Sequence, residues 1–186
     1  MRRRHSAADY AEIVARARAH IPDLALSTDV MVGFPGESEA EFSDTLEFVE
    51  RMAFARLHVF VYSRRPGTLA FGLPGQVPPP VARDRRDALV ALGRRQALAW
   101  HRGFVGREVE VLFEQLVHTL DGLCWSGLTD NYLRVLVQHS GDLHNRLARV
   151  RCVAGEEMGV RGELLAGADC APASACDQGI AGVTQP

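Results

Sequence analysis

Lysine is absent: every one of the 21 basic residues in this 186-residue chain is an arginine. Arginine forks onto carboxylates and phosphates and stacks on flat rings, so that chemistry survives, and only the compact ammonium group is missing. A net charge of −2 gives no overall basic footprint, so any nucleic-acid contact has to be local. Long apolar runs are lacking as well. No stretch approaches the ~18 residues that cross a bilayer, and no membrane partner is expected. Met1-Arg2-Arg3-Arg4-His5 looks like the charged start of a secretion signal. Asp9, Glu12, Arg16 and Arg18 interrupt what should then be its apolar core, so a cytoplasmic location is the expectation. Cysteine is sparse. Cys124, Cys152, Cys170 and Cys176 show neither C-x-x-C nor a three-cysteine cluster spacing, so no metal ligands are expected among them. In a cytosolic chain they read as free thiols. Cys124 and Cys152 fall in strand-like stretches and should be buried; the other two lie in a Gly/Ala/Ser tail and should be solvated.

What is present begins with helix signals. Ser6 and Asp9 are spaced as a capping box for a helix running to about His20, where Pro22 closes it. Leu24 to Gly33 is a strand pattern with an apolar end, as expected of a strand buried on both faces. Ser38 and Glu41 form a second capping box, and Phe42, Leu46, Val49 and Met52 then recur at helical spacing. Arg56 to Tyr62 is another strand. Helix–strand–helix–strand is the rhythm of a parallel α/β sheet. Residues 63–80 hold five prolines and read as a long irregular loop, followed by a helix from about Val81 to Arg102. Beyond Gly106 the pattern changes to short alternating strands: Glu108–Glu114, Tyr132–Gln138, Leu147–Val153 and Val160–Leu165, with a turn at Asp121-Gly122. With the strand that follows the turn, five short strands in this span predict a small closed barrel. Residues 168–186 carry few large apolar side chains and are expected to be disordered.

Two places draw attention on chemical grounds. Gly33-Phe34-Pro35-Gly36-Glu37 follows a buried strand, and ligands bind at the carboxyl ends of parallel strands. Its glycines allow close backbone approach, and Glu37 can accept from hydroxyl or amine groups; a plain strand–turn–helix reads equally well. Tyr62-Ser63-Arg64-Arg65-Pro66-Gly67-Thr68 ends the next strand on the same side, where two arginines are able to hold a carboxylate or phosphate. A solvated basic loop fits that stretch as well. His58, between Leu57 and Val59, is expected to be a core histidine, and Trp125 a barrel-core aromatic.

Three runs taken together are more specific: TDVMVGFPGESEAEF (28–42), LHVFVYSRRPGT (57–68) and LPGQVPPPVARDRR (73–86). In order and spacing they resemble the radical-SAM methylthiotransferases, as do the opening Met1-Arg2-Arg3 and Tyr10. The later runs GREVEVLFE (106–114), GLCWSGLTDNYLRVLV (122–137), RVRCV (149–153) and GELL (162–165) resemble the TRAM domain of the same family. The resemblance implies α/β units from the end of a partial radical-SAM barrel at 1–103, a TRAM/OB-like all-β barrel at 104–167, and a tail at 168–186.

For function, the resemblance implies S-adenosyl-L-methionine and [4Fe–4S] clusters as cofactors of the intact enzyme, with tRNA as partner. Neither cluster-binding cysteine set is present here. The chain therefore reads as a C-terminal piece, partnered by a missing N-terminal part and inactive alone. Asp29, Gly33, Gly36, Glu37, Ser63 and Arg64 fall where the family lines its cofactor pocket. Arg65, Tyr132 and Arg134 are the candidate RNA contacts, although residues 104–166 hold six arginines against nine acids. His58-Val59-Phe60, the Arg-Pro-Gly-Thr form and Gly127–Tyr132 resemble the branch that acts on threonylcarbamoyladenosine beside the anticodon. Arg64 or Arg65 would there meet the threonyl carboxylate. The alternatives are a non-catalytic RNA-binding module, or a relative acting on isopentenyladenosine tRNA or on a ribosomal protein.

Overall fold

A computed structural model describes residues 6–120, 122–165 and 171–172. The chain divides into two compact units between Ala97 and Leu98, inside its third helix.

The first unit is built from α1 (Ala7–His20), β1 (Ser27–Val32), α2 (Glu39–Met52), β2 (Arg56–Val61), a 3-10 turn (Leu69–Gly72) and the larger part of α3 (Pro79–Arg102). Both expected capping boxes are formed: Ser6 with Asp9 and Ser38 with Glu41 exchange side-chain and backbone bonds. Each pair satisfies two backbone N–H groups that a helix start leaves without partners. α2 ends at Ala53 in a left-handed conformation. Its last carbonyls are closed by side chains from elsewhere in the unit: Arg18 donates to Met52 and Ala53, and Gln96 to Val49 and Glu50. β1 and β2 run parallel, Ser27 opposite Arg56 through Val32 opposite Val61. Val14, Val32, Phe42, Val49, Met52, Phe54, Leu89 and Leu92 form the core between helices and sheet.

Two expectations need correction here. β1 is not covered on both faces. Val30 and Val32, with Leu57 and Val59 of β2, turn to the helices, while Asp29, Met31, His58 and Phe60 are exposed. All the helices of this unit lie on one side of only two strands, so among the described residues nothing covers the other face. Parallel sheets are normally covered on both. His58 therefore stands on an open sheet face and is no core residue.

The second unit holds β3 (Glu108–Thr119), β4 (Gly122–Leu128), β5 (Arg134–Val137), β6 (Arg146–Glu156), β7 (Gly159–Leu164) and the short β8 (Ala171–Pro172). β3 pairs with β4, β4 with β5, β5 with β7 in parallel, β7 with β6, and β6 back with β3. The pairings of these five strands thus form a closed cycle around Val111, Phe113, Trp125, Leu133, Val135, Val150 and Val160. Trp125 is a core residue, as expected, with its indole N–H donating to the Gly141 carbonyl at 2.9 Å. Cys124 and Cys152 are buried free thiols. β3 runs five residues past its expected end, because residues 115–119 keep pairing with β4 beyond a bulge near Phe113. Of the tail, Ala171–Pro172 pair with Leu147 and Arg146. Met1–Arg3, Cys170, Cys176 and the rest of the tail lie outside the described residues.

Candidate functional site

The parallel strands leave the sheet side by side. Tyr62 donates its backbone N–H to the Val32 carbonyl at 2.8 Å, and the Phe34 and Tyr62 rings meet edge to face at 5.3 Å. Directly after β1 the chain turns through Gly33 (φ 74°) and Gly36 (φ 88°), a left-handed backbone open to glycine at little cost. A third loop closes on this one: the Gly36 N–H donates to the Gly75 carbonyl at 2.8 Å. A Cβ on Gly75 would stand only 3.3 Å from Gly36 backbone atoms, so the two loops touch through glycine.

Glu37 ties the turn together. Its Oε2 accepts from the Gly33 N–H at 2.7 Å and from Arg85 Nη1 at 2.6 Å, and its carbonyl accepts from the same nitrogen at 3.0 Å. Arg85 Nη2 reaches Glu39 at 3.0 Å, and the guanidinium lies 5.3 Å from the Phe42 ring centroid. Arg85 is only 6% exposed. Burial works against its charge, but the bonds to Glu39 and Glu37 outweigh that and raise its pKa.

Gly33, Gly36 and Glu37 are thus brought into one loop, with Asp29 on the open sheet face behind it, opposite His58. Ser63 and Arg64 follow β2 beside that loop and are exposed. Arg64 folds back on its own segment: its Nε donates to the Phe71 carbonyl at 2.9 Å, and its guanidinium lies 4.3 Å from the Phe71 ring centroid. The Arg65 carbonyl accepts from the Thr68 hydroxyl and its side chain is exposed. In the second unit Tyr132 is 80% exposed with φ 62°. It is held there by a tight loop in which Thr129 bonds the Leu133 N–H and the Tyr132 N–H bonds the Thr129 carbonyl. Arg134 is already engaged, donating to the Ser126 hydroxyl at 2.7 Å and lying 3.9 Å from Glu114.

Arg85 was missed by sequence reasoning. The signal for it is its place on an apolar stripe: Ala82, Arg85, Leu89 and Leu92 recur at helical spacing, and all four are buried. A charged residue on such a stripe has a buried partner to satisfy.

No protein-family model matches the chain. Curated relatives do. The chain is 40% identical over 167 residues to the tRNA-2-methylthio-N(6)-dimethylallyladenosine synthase of Moorella thermoacetica, across 90% of this chain and 37% of that protein. It is 49% identical over 112 residues to the synthase of that name from Acidothermus cellulolyticus, covering 60% of this chain and 22% of the relative. For the Acetivibrio thermocellus synthase the figures are 38% over 151 residues, 81% and 31%. The chain therefore spans well under half the length of these relatives. Their names overturn the threonylcarbamoyl expectation. Of the two arginines offered for the threonyl carboxylate, Arg64 is bonded to and stacked on Phe71. The relatives place the likeness with the tRNA methylthiotransferases, on their dimethylallyladenosine side.

Proposed function

We propose that this chain is part of an enzyme that adds a methylthio group to dimethylallyladenosine in tRNA. The observation that carries the reading is the 40% identity over 167 residues to a synthase named for that product. The same resemblance brings in S-adenosylmethionine and [4Fe–4S] clusters, which supply the radical and the sulfur chemistry when bound.

The described residues offer a setting for one cofactor and no ligand group for the other. Among the described residues no group of three potential metal ligands exists, and Cys124 and Cys152 are buried in strands. The loop after β1 suits a small polar ligand. Gly33 and Gly36 bring backbone close, and Glu37 supplies a fixed carboxylate at the carboxyl end of parallel strands. Asp29, Ser63 and Arg64 complete this wall in the proposal. In the second unit, the strand cycle β3–β4–β5–β7–β6–β3 supports reading residues 104–167 as a TRAM/OB-like barrel. Tyr132 is the base-stacking candidate there and Arg134 a phosphate contact; Arg65, in the first unit, is a separate candidate RNA contact. Residues 1–103 are then the last α/β units of the radical-SAM part.

The test is deletion of the gene in its host, with tRNA nucleosides analysed by mass spectrometry. Loss of the methylthio group from dimethylallyladenosine, with the threonylcarbamoyl nucleoside intact, is expected. Unchanged nucleosides refute the reading.

A further inference from the structure

Removing a guanidinium from water is costly unless its N–H groups find acceptors. Arg85 meets that cost in an unusual way. Its Nη1 and the Gly33 N–H converge on the same oxygen, Glu37 Oε2, at 2.6 and 2.7 Å. Glu37 Oε1 has no hydrogen-bond partner among the described residues, although the side chain is only 13% exposed. One guanidinium faces two carboxylates, Glu37 and Glu39, so one formal negative charge remains beside the glycine loop. Arg85 Nε has no partner either. A leucine at this point of the α3 stripe would fill the core without burying any charge; what the arginine adds is a carboxylate clamped at one oxygen and open at the other.

We propose that Arg85 is a positioning residue for the ligand loop: it pins Glu37 so that Oε1 is presented as a fixed acceptor to an amino or hydroxyl group of the bound cofactor. Arg85 itself stays behind the loop and acts through Glu37. The inference rests on the S-adenosylmethionine reading given above, whose ammonium and ribose hydroxyls are donors of the required kind. The pinned geometry also restrains the Gly33 amide, which gives a readout independent of catalysis.

The test has two arms. In the 186-residue chain, amide hydrogen exchange is compared between the unaltered protein, Arg85→Lys and the control Glu39→Gln. Arg85→Lys keeps the charge and loses the fork. It is expected to speed exchange at Gly33 by about tenfold or more, with the core amides of Val49 and Leu89 unchanged. Glu39→Gln, at a side chain that is itself 81% exposed, leaves Gly33 protected. Unchanged exchange at Gly33 in Arg85→Lys overturns the inference. So does an equal rise at Val49 and Leu89, which would mark a general stabiliser. If Arg85→Lys does not fold, Glu37→Gln takes its place with the same expected local rise and the same refuting outcomes. The second arm measures S-adenosylmethionine affinity in the intact, cluster-loaded enzyme carrying this segment. Arg85→Lys is expected to weaken it about tenfold while tRNA affinity changes less than about twofold. Failure of the unaltered enzyme to bind S-adenosylmethionine sinks the functional reading and leaves the loop result standing. Equal binding by the unaltered enzyme and Arg85→Lys sinks the Arg85 inference alone.

Discussion

Gly33 and Gly36 sit three residues apart in the candidate site, and alanine should separate the reasons for them. Both have left-handed backbone, at φ 74° and 88°. Alanine in that conformation costs about 1–2 kcal/mol, offset by about 0.4–1 kcal/mol because it also restricts the unfolded chain. At Gly36 nothing lies within 4 Å of an added Cβ, so Gly36→Ala should cost only the remainder, ~0.5–1 kcal/mol. At Gly33 the Cβ would stand 2.8 Å from the Ala82 Cβ in the first turn of α3. Neither group has a flexible end that can move aside, so overpacking adds about 1–3 kcal/mol and Gly33→Ala should cost ~2–4 kcal/mol. Ala82→Gly alone costs about 1 kcal/mol of helix propensity, but it removes the obstacle. The double variant should therefore recover most of the steric part, a coupling of about 1–2 kcal/mol. Urea unfolding followed by far-ultraviolet circular dichroism reads this out, since α1, α2 and most of α3 belong to the unit that holds the site. Equal costs for Gly33→Ala and Gly36→Ala, or additivity of Gly33→Ala with Ala82→Gly within about 0.5 kcal/mol, would refute the reasoning.

Other consequences are open to simple measurement. Burial lowers the His101 pKa from its ordinary 6.5, against the opposing bond to the Glu156 carbonyl. As pH falls below 6.5 the unfolded chain takes a proton that the folded one resists, so stability is lost over that window; His101→Gln should show a shallower loss between pH 7 and 5, and an identical slope would contradict this. Cys152 is 1% exposed and burial pushes its thiol pKa up. In a Cys170→Ser/Cys176→Ser background, thiol labelling should be slower by on the order of 100-fold in native buffer than in urea, and labelling at mixing speed would be the adverse result. Met31 and Phe60 are 42% and 52% exposed on the open face of the β1–β2 pair. Met31→Thr with Phe60→Thr should raise the concentration at which the chain self-associates, as read by light scattering, and no change would argue that this face is not adhesive.

Much of the fold was legible because its signals are local. Ser6 with Asp9 and Ser38 with Glu41 announce helix starts within four residues, and both boxes form as written. The alternation from Glu108 onward likewise marks strands whose inner residues, Val111 and Phe113, are fully buried. What escaped depends on partners distant in sequence. Whether β1 is covered on one face or two depends on what lies against it, so the apolar run could not decide it, and His58 was misplaced with it. Arg85 looks like one more arginine in an exposed run until Glu37, 48 positions away, is seen to need it. The substrate branch was misread because it rested on short likenesses at His58-Val59-Phe60, the Arg-Pro-Gly-Thr form and Gly127–Tyr132, which the longer matches to the relatives outweigh. The weaker argument beside them, a carboxylate met by Arg64 or Arg65, loses Arg64 to Phe71 in the same loop.

The central claim is that this segment serves within a dimethylallyladenosine tRNA methylthiotransferase. The most direct test replaces the matching segment of the Moorella thermoacetica synthase, to which it is 40% identical, with this chain. The chimaera is expressed in a host lacking its own enzyme, and tRNA nucleosides are quantified by mass spectrometry. The account predicts 2-methylthio-dimethylallyladenosine, and its loss when Glu37→Gln is introduced. A folded, cluster-loaded chimaera that leaves dimethylallyladenosine unmodified, or that places the methylthio group on threonylcarbamoyladenosine, would contradict it.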